Sequence, residues 1–81
     1  QGKYNMALAF ILINTDVAGE QEVMDALKKI PEVDSVHLVY GIYDLIVKVS
    51  SDSLDKLKTG VTGSLRNIPK IRSTMTMIAV E

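Results

Sequence analysis

Hydrophobic residues along this chain change period several times, and each change marks an element. Met6-Ala7-Leu8-Ala9-Phe10-Ile11-Leu12-Ile13 is apolar at both parities, the pattern of a strand buried on both faces. Thr15 and Asp16 end it. From Ala18 to Ile30 the spacing lengthens to that of a helix, with Val23, Leu27 and Ile30 on one stripe and Met24 beside them. Glu20 and Glu22 fall near its positive end and Lys28 and Lys29 near its negative end, as the helix dipole favours. Val33 to Tyr40 reads as a second strand and Leu45 to Val49 as a third. The connection through Gly41, Ile42, Tyr43 and Asp44 is short, so these two strands pair as an antiparallel hairpin. Asp52 is placed to cap a second helix, with Asp55 in its first turn. That helix runs to about Asn67 and aligns Leu54, Leu57, Val61, Leu65 and Ile68. Ile71 to Val80 is the last strand, in which Ser73, Met75, Met77 and Ala79 alternate with Thr74, Thr76, Ile78 and Val80.

A phrase recurs at the two places where helix gives way to strand. Ile30-Pro31-Glu32-Val33-Asp34-Ser35 returns as Ile68-Pro69-Lys70-Ile71-Arg72-Ser73. Proline disfavours helical geometry in the residue before it, so each copy stops a helix and releases a strand. In 81 residues the repeat divides the chain into two βαβ halves, too few for a solenoid. The predicted fold is α+β and ferredoxin-like, βαββαβ, a four-stranded antiparallel sheet with two helices on one face. One domain spans residues 1–81, with residues 1–5 read as disordered or as a cloning remnant.

Two helices cover one sheet face only. The first strand is apolar on both sides, and the last carries Met, Ala, Ile or Val on both. An exposed apolar face of that size is a partner surface or an aggregation hazard. The pattern therefore predicts that sheet faces pack together between subunits, as a dimeric α+β sandwich or barrel. Composition supports this, because 47% of residues are apolar in a chain whose core alone is marginal. There is no cysteine, so disulfides and thiolate metal sites are excluded. A net charge of −1 gives poor footing for nucleic acid. No apolar run reaches the roughly 20 residues that span a bilayer, so a soluble cytoplasmic protein without membrane partners is expected.

Catalytic signals are weak. The single histidine, His37, lies in a strand pattern and has no metal-binding companions. Gly60-Val61-Thr62-Gly63 has the spacing of a loop that clamps nucleic-acid backbone, but it falls within a helical pattern of an acidic chain. It reads better as close helix packing or a weak helix, since each glycine costs a helix about 1 kcal/mol. The sharper signal is Val39-Tyr40-Gly41-Ile42-Tyr43-Asp44-Leu45. Gly41 can supply a positive φ, and Asp44 offers a carboxylate to a cation or to nearby N–H groups. Glycine and aspartate are also ordinary turn residues.

Those residues carry a resemblance to a family. Gly41-Ile42-Tyr43-Asp44-Leu45 follows a Val-rich strand and precedes Val47 and Val49. A helix with Leu57 and Leu65 leads to Ile68-Pro69-Lys70-Ile71 and then to Ser73-Thr74-Met75-Thr76. From Met6 to Glu81 the chain resembles the effector-binding RAM domain of the Lrp/AsnC (feast/famine) transcription regulators. The resemblance implies a βαββαβ fold, a homodimer, and higher oligomers from tetramer to octamer. It implies no catalysis and no cofactor, and a small amino-acid effector held between dimers. Carried over by position, Tyr40, Gly41, Ile42, Tyr43, Asp44 and Leu45 would line the effector site, with Thr74 and Thr76 from the last strand. Asp44 and backbone carbonyls would take an α-ammonium; threonine hydroxyls and N–H groups would take an α-carboxylate. Full-length members place a helix-turn-helix before this domain. Here the first strand begins at Met6, which resembles the stand-alone members and implies no direct DNA binding. Such a chain would sense amino acids or associate with a full-length regulator. An excised fragment of a full-length regulator would read the same way. The rival readings are a small monooxygenase-like α+β-barrel enzyme and an ACT-type regulatory domain, which the hairpin fits less well.

Overall fold

A computed structural model describes residues 6–80; the reading of residues 1–5 lies outside them. The element order is β1 (Ala7–Thr15), α1 (Glu20–Leu27), β2 (Val33–Leu38), β3 (Leu45–Ser51), a π-helical segment (Lys56–Val61) running into α2 (Thr62–Arg66), and β4 (Ile71–Ala79). The strands form one sheet in the order β2-β3-β1-β4, antiparallel at every pairing. This is the ferredoxin-like βαββαβ arrangement that the repeat predicts.

β1 lies inside the sheet because it is apolar on both faces. Ala9, Ile11 and Ile13 are buried with Leu45, Val47 and Val49 of β3 against Val23, Leu27, Leu57, Val61 and Leu65 of the helices. Each fully buried aliphatic side chain contributes about 1.5–3 kcal/mol. Leu8, Phe10 and Leu12 alternate onto the other face, which no helix covers. Met77 and Met75 of β4 stand opposite Phe10 and Leu12 there and remain 47% and 49% exposed.

Both copies of the repeated phrase carry a bulge at the same position. β2 aligns Val33 with Val49 and Ser35 with Lys48, leaving Asp34 as the extra residue. β4 aligns Ile71 with Thr15 and Ser73 with Asn14, leaving Arg72. The repeat thus ends a helix and also bends the strand that follows, since a bulge twists its strand and re-aims a side chain.

Several boundaries differ from the expectation. α1 starts at Glu20 rather than Ala18, because Ala18 adopts a left-handed φ of 63° in a turn closed by the Gly19 N–H to the Asp16 carbonyl at 2.9 Å. β2 stops at Leu38, short of Tyr40: the Val39 N–H still reaches the Asp44 carbonyl at 2.9 Å, but the Asp44 N–H goes to the Ile13 carbonyl of β1 at 3.0 Å and does not return the bond. Ser53, not Asp52, heads the second helix: its hydroxyl accepts from the Lys56 N–H at 3.4 Å, and its carbonyl accepts from the Leu57 N–H at 3.2 Å. Asp52 instead pairs with Lys56 Nζ at 3.1 Å, which holds its carboxyl below the usual range. Leu54 is exposed, whereas Leu57, Val61 and Leu65 are buried. Four-residue steps drift around an α-helix of 3.6 residues per turn, and a wider π turn keeps Leu57 and Val61 aligned on the sheet.

The glycines divide by role. A Cβ on Gly60 or Gly63 would meet nothing within 4 Å, so close packing does not explain them and the weak-helix reading stands. A Cβ on Gly19 would come within 3.1 Å of both the Asp16 carbonyl oxygen and the Lys70 Cβ. Gly63→Ala is therefore expected to stabilise the domain by about 0.5–1 kcal/mol. Gly19→Ala is expected to destabilise it by about 1–3 kcal/mol through overpacking. Urea unfolding midpoints of the two variants check the opposite signs.

Candidate functional site

The connection between β2 and β3 is pinned at its base. The Asp44 N–H donates to the Ile13 carbonyl at 3.0 Å. The Asp44 carboxylate accepts the Thr15 N–H at 2.9 Å and faces the Thr15 hydroxyl at 3.5 Å. One residue thus joins the hairpin to the end of the central strand. Beyond it, Gly41 takes a φ of 147°, a conformation that favours glycine. Ile42 is 86% exposed and Tyr40 wholly so.

This junction forms one wall of an open cleft of about 480 Å³. Asn14, Thr15 and Asp16 contribute the end of β1; Ile42 and Asp44 the hairpin; Arg72 and Ser73 the bulged start of β4. Glu20 adds a carboxylate from the head of α1. The Asn14 amide donates to the Ser73 hydroxyl at 3.2 Å, tying β1 to β4 at the rim. Below it, the Asp16 N–H donates to the Lys70 carbonyl at 2.8 Å, and Lys70 Nζ pairs with Glu22 at 2.8 Å. Glu22 holds the Lys70 ammonium above its ordinary range. That small, solvent-screened contribution is present below the ordinary lysine value and fades as pH rises through the raised one. The cleft therefore offers both signs of charge, three carboxylates and one guanidinium, beside an exposed aliphatic side chain.

The residues expected in one site are distributed over the protomer. Ile42 and Asp44 share the cleft. Tyr43 lies on the uncovered sheet face, its hydroxyl donating to Met75 Sδ at 3.7 Å. Leu45 is fully buried in the core, so its side chain holds the hairpin's end and does not line the cleft. Gly41 has no neighbour within 4 Å of a built Cβ. Thr74 and Thr76 face the helix side of β4, in a separate cavity of about 380 Å³ bordered by Thr62 and Arg66. Arg72 and Ser73 border both spaces. Sequence reasoning missed Asn14, Glu20 and Arg72. They converge only through the β1–β4 register and its bulge, which no local pattern announces. His37 is exposed, with Nε2 3.2 Å from the Ser35 hydroxyl. Among the described residues, no three metal-ligating side chains gather, and no helix is long and apolar enough to cross a membrane.

Comparison with known proteins agrees with this geometry. Residues 8–81 match the family described as the Lrp/AsnC ligand binding domain. An uncharacterised HTH-type transcriptional regulator of Pyrococcus abyssi is 35% identical over 71 residues, which cover 88% of this chain and 45% of that protein. The chain thus spans about half the length of the curated relatives it matches. Among solved structures, the hypothetical protein PHS023 from Pyrococcus horikoshii is 47% identical, with a TM-score of 0.85, covering 93% of this chain and 90% of that one. AsnC of E. coli superposes with the same TM-score, 0.85, at 25% identity, over 96% of this chain and 52% of that one. A match across nearly the whole sequence, with the strand order and hairpin seen here, places the chain in the Lrp/AsnC ligand-binding-domain family of transcription regulators.

Proposed function

We propose that this domain senses an amino acid and couples its binding to assembly. The observation that carries the reading is the division of the expected site. The hairpin and Arg72 open onto one cleft, while Thr74 and Thr76 face another side of β4. A small effector can touch the hairpin and both threonines only where a second protomer supplies one set. The cleft itself suits a zwitterion. Arg72 can bind an α-carboxylate through its planar fork, Asp16, Glu20 and Asp44 can receive an α-ammonium, and Ile42 can meet an apolar side chain.

Assembly has its own support in the uncovered sheet face. Leu8, Phe10, Leu12, Ile46, Met75 and Met77 would be buried if two sheets packed about 10 Å apart. This surface supports the reading of a homodimer through the open face, and family membership supports tetramers to octamers built from such dimers. An effector at a junction between protomers shifts assembly by its differential affinity for the two states. The same reading extends to a full-length Lrp/AsnC regulator as a further partner for this face.

Light scattering at micromolar protein is expected to give at least a dimer, and Phe10→Asp to shift it towards monomer; a monomeric wild type would overturn the sheet-face reading. A thermal-shift panel of the twenty amino acids is expected to contain a selective hit, because ligand at 100 times its Kd adds about 2.7 kcal/mol. Ile42→Ser, at an exposed position, is expected to weaken that hit without lowering the unliganded Tm. Asp44→Ala is expected to weaken it too, and to cost about 1–2 kcal/mol by orphaning the Thr15 N–H. Unchanged affinity for both variants would remove the hairpin from the site.

A further inference from the structure

β4 is an edge strand, and the second helix does not reach across it. The space left between them is a groove of two adjoining cavities, of about 190 Å³ and 380 Å³, which share Thr62 on the helix and Thr76 on the strand. At the bottom of the smaller cavity lie the core side chains Ala9 and Ile11 of β1 and Val49 of β3, each no more than 2% exposed, and beside them Ile78 of β4, 37% exposed. Its polar rim consists of the two threonine hydroxyls and Lys58. The larger cavity adds Arg66 and Arg72.

Among the described residues, no aspartate or glutamate lines either cavity. The chain has 10 acidic and 9 basic residues, so a stretch bordered by three cations and, among the described residues, no acid is a departure from its own average. The cleft at the end of β1 has the opposite bias, with three carboxylates to one guanidinium. An amino acid needs an acceptor for its ammonium as well as donors for its carboxylate. The groove supplies only the donors, above an apolar floor.

Leu57 and Lys58 of the π-helical segment, a geometry that recurs at functional sites, border the smaller cavity, and Thr62, Leu65 and Arg66 of α2 border the larger one. Gly60 in the segment and Gly63 in α2 weaken this helical stretch without any packing contact that would require glycine. The smaller cavity lies below the roughly 300–1,000 Å³ typical of drug-sized pockets, which limits the buried part of the occupant to a few carbons.

We propose that this groove binds a small aliphatic carboxylate lacking an α-ammonium group, such as a short 2-oxo acid. The alkyl end would lie against Ile78, above Ala9, Ile11 and Val49, and the carboxylate would meet Thr62, Thr76 and Lys58. The site lies within one protomer, beyond the carboxylates of the cleft, and shares Arg72 and Thr76 with the surface proposed to meet the amino-acid effector. An amino acid and its deaminated counterpart would then be sorted between two places on one domain by the presence or absence of a single ammonium group.

The test is calorimetric titration of the chain with 4-methyl-2-oxopentanoate, with leucine as the comparison ligand. Saturable binding of the oxo acid is expected. Lys58→Met and Thr62→Val, both at exposed positions, should each weaken it about tenfold, while Ile42→Ser should leave it unchanged. Circular dichroism confirms that the variants are folded. Absence of binding at millimolar ligand overturns the proposal. So does binding that Lys58→Met and Thr62→Val leave intact, or that Ile42→Ser abolishes. Failure of leucine alone to bind bears on the amino-acid reading and leaves the oxo-acid result to stand or fall separately.

Discussion

Everything in this domain is arranged around β1. From Ala7 to Ile13 it is apolar at every position, and it pairs with β3 on one side and β4 on the other. A strand with that pattern cannot lie at an edge without exposing a long apolar ladder. Its interior position fixes the rest. The helices must cover the face carrying Ala9, Ile11 and Ile13, because two short helices can cover only one. The face carrying Leu8, Phe10 and Leu12 is then left open, flanked by Met75 and Met77. In a domain this small, where a single core leaves little margin, the surplus apolar surface is the physical argument for association.

The end of β1 also organises the cleft. Asp44 spends its carboxylate on the Thr15 N–H and its own N–H on the Ile13 carbonyl. The hairpin therefore has a fixed base and a free tip. Among the described residues nothing covers Ile42 or Tyr40, although both are large and apolar in part. A rigid base with an exposed apolar tip is how a binding loop differs from an ordinary turn: the scaffold positions it, and the contacts come from elsewhere.

Much of the fold was legible in the sequence, and for identifiable reasons. β1 announces itself because apolar residues at both parities suit only a strand buried on both faces. The repeated Ile-Pro phrase marks the helix-to-strand transitions because proline acts locally. Its bulges at Asp34 and Arg72 were not legible, since a bulge depends on the partner strand's register. The helix starts failed for a similar reason. Ala18 reads as a helix former, yet the turn from Asp16 to Gly19 holds it left-handed. Ser53 displaced Asp52 as the cap because Asp52 found Lys56 instead. Of the hairpin residues, Ile42 and Asp44 reach the cleft. Leu45 is claimed by the core because strand parity places it beside Ile13. Thr74 and Thr76 follow parity too, onto the helix side, away from Tyr43.

β4 belongs to every surface described. Its even positions, Thr74, Thr76 and Ile78, wall the groove beneath the second helix. Its odd positions, Met75 and Met77, lie on the open sheet face. Its bulge turns Arg72 and Ser73 towards the cleft. Only one neighbouring strand holds it, through the β1 ladder, so it is less constrained than β3, which is paired on both sides. A shift of this strand changes cleft, groove and sheet face together. Sites coupled through a shared element influence one another reciprocally, to the extent that each occupant prefers one position of that element. The bulge at Arg72 is the natural point for such a shift, because it is where the ladder between β1 and β4 is already interrupted. The same irregularity that aims a guanidinium into the cleft thus interrupts the ladder of the strand that carries Met75 and Met77. Under the proposed function, ligand recognition and assembly would be two readings of the position of one edge strand.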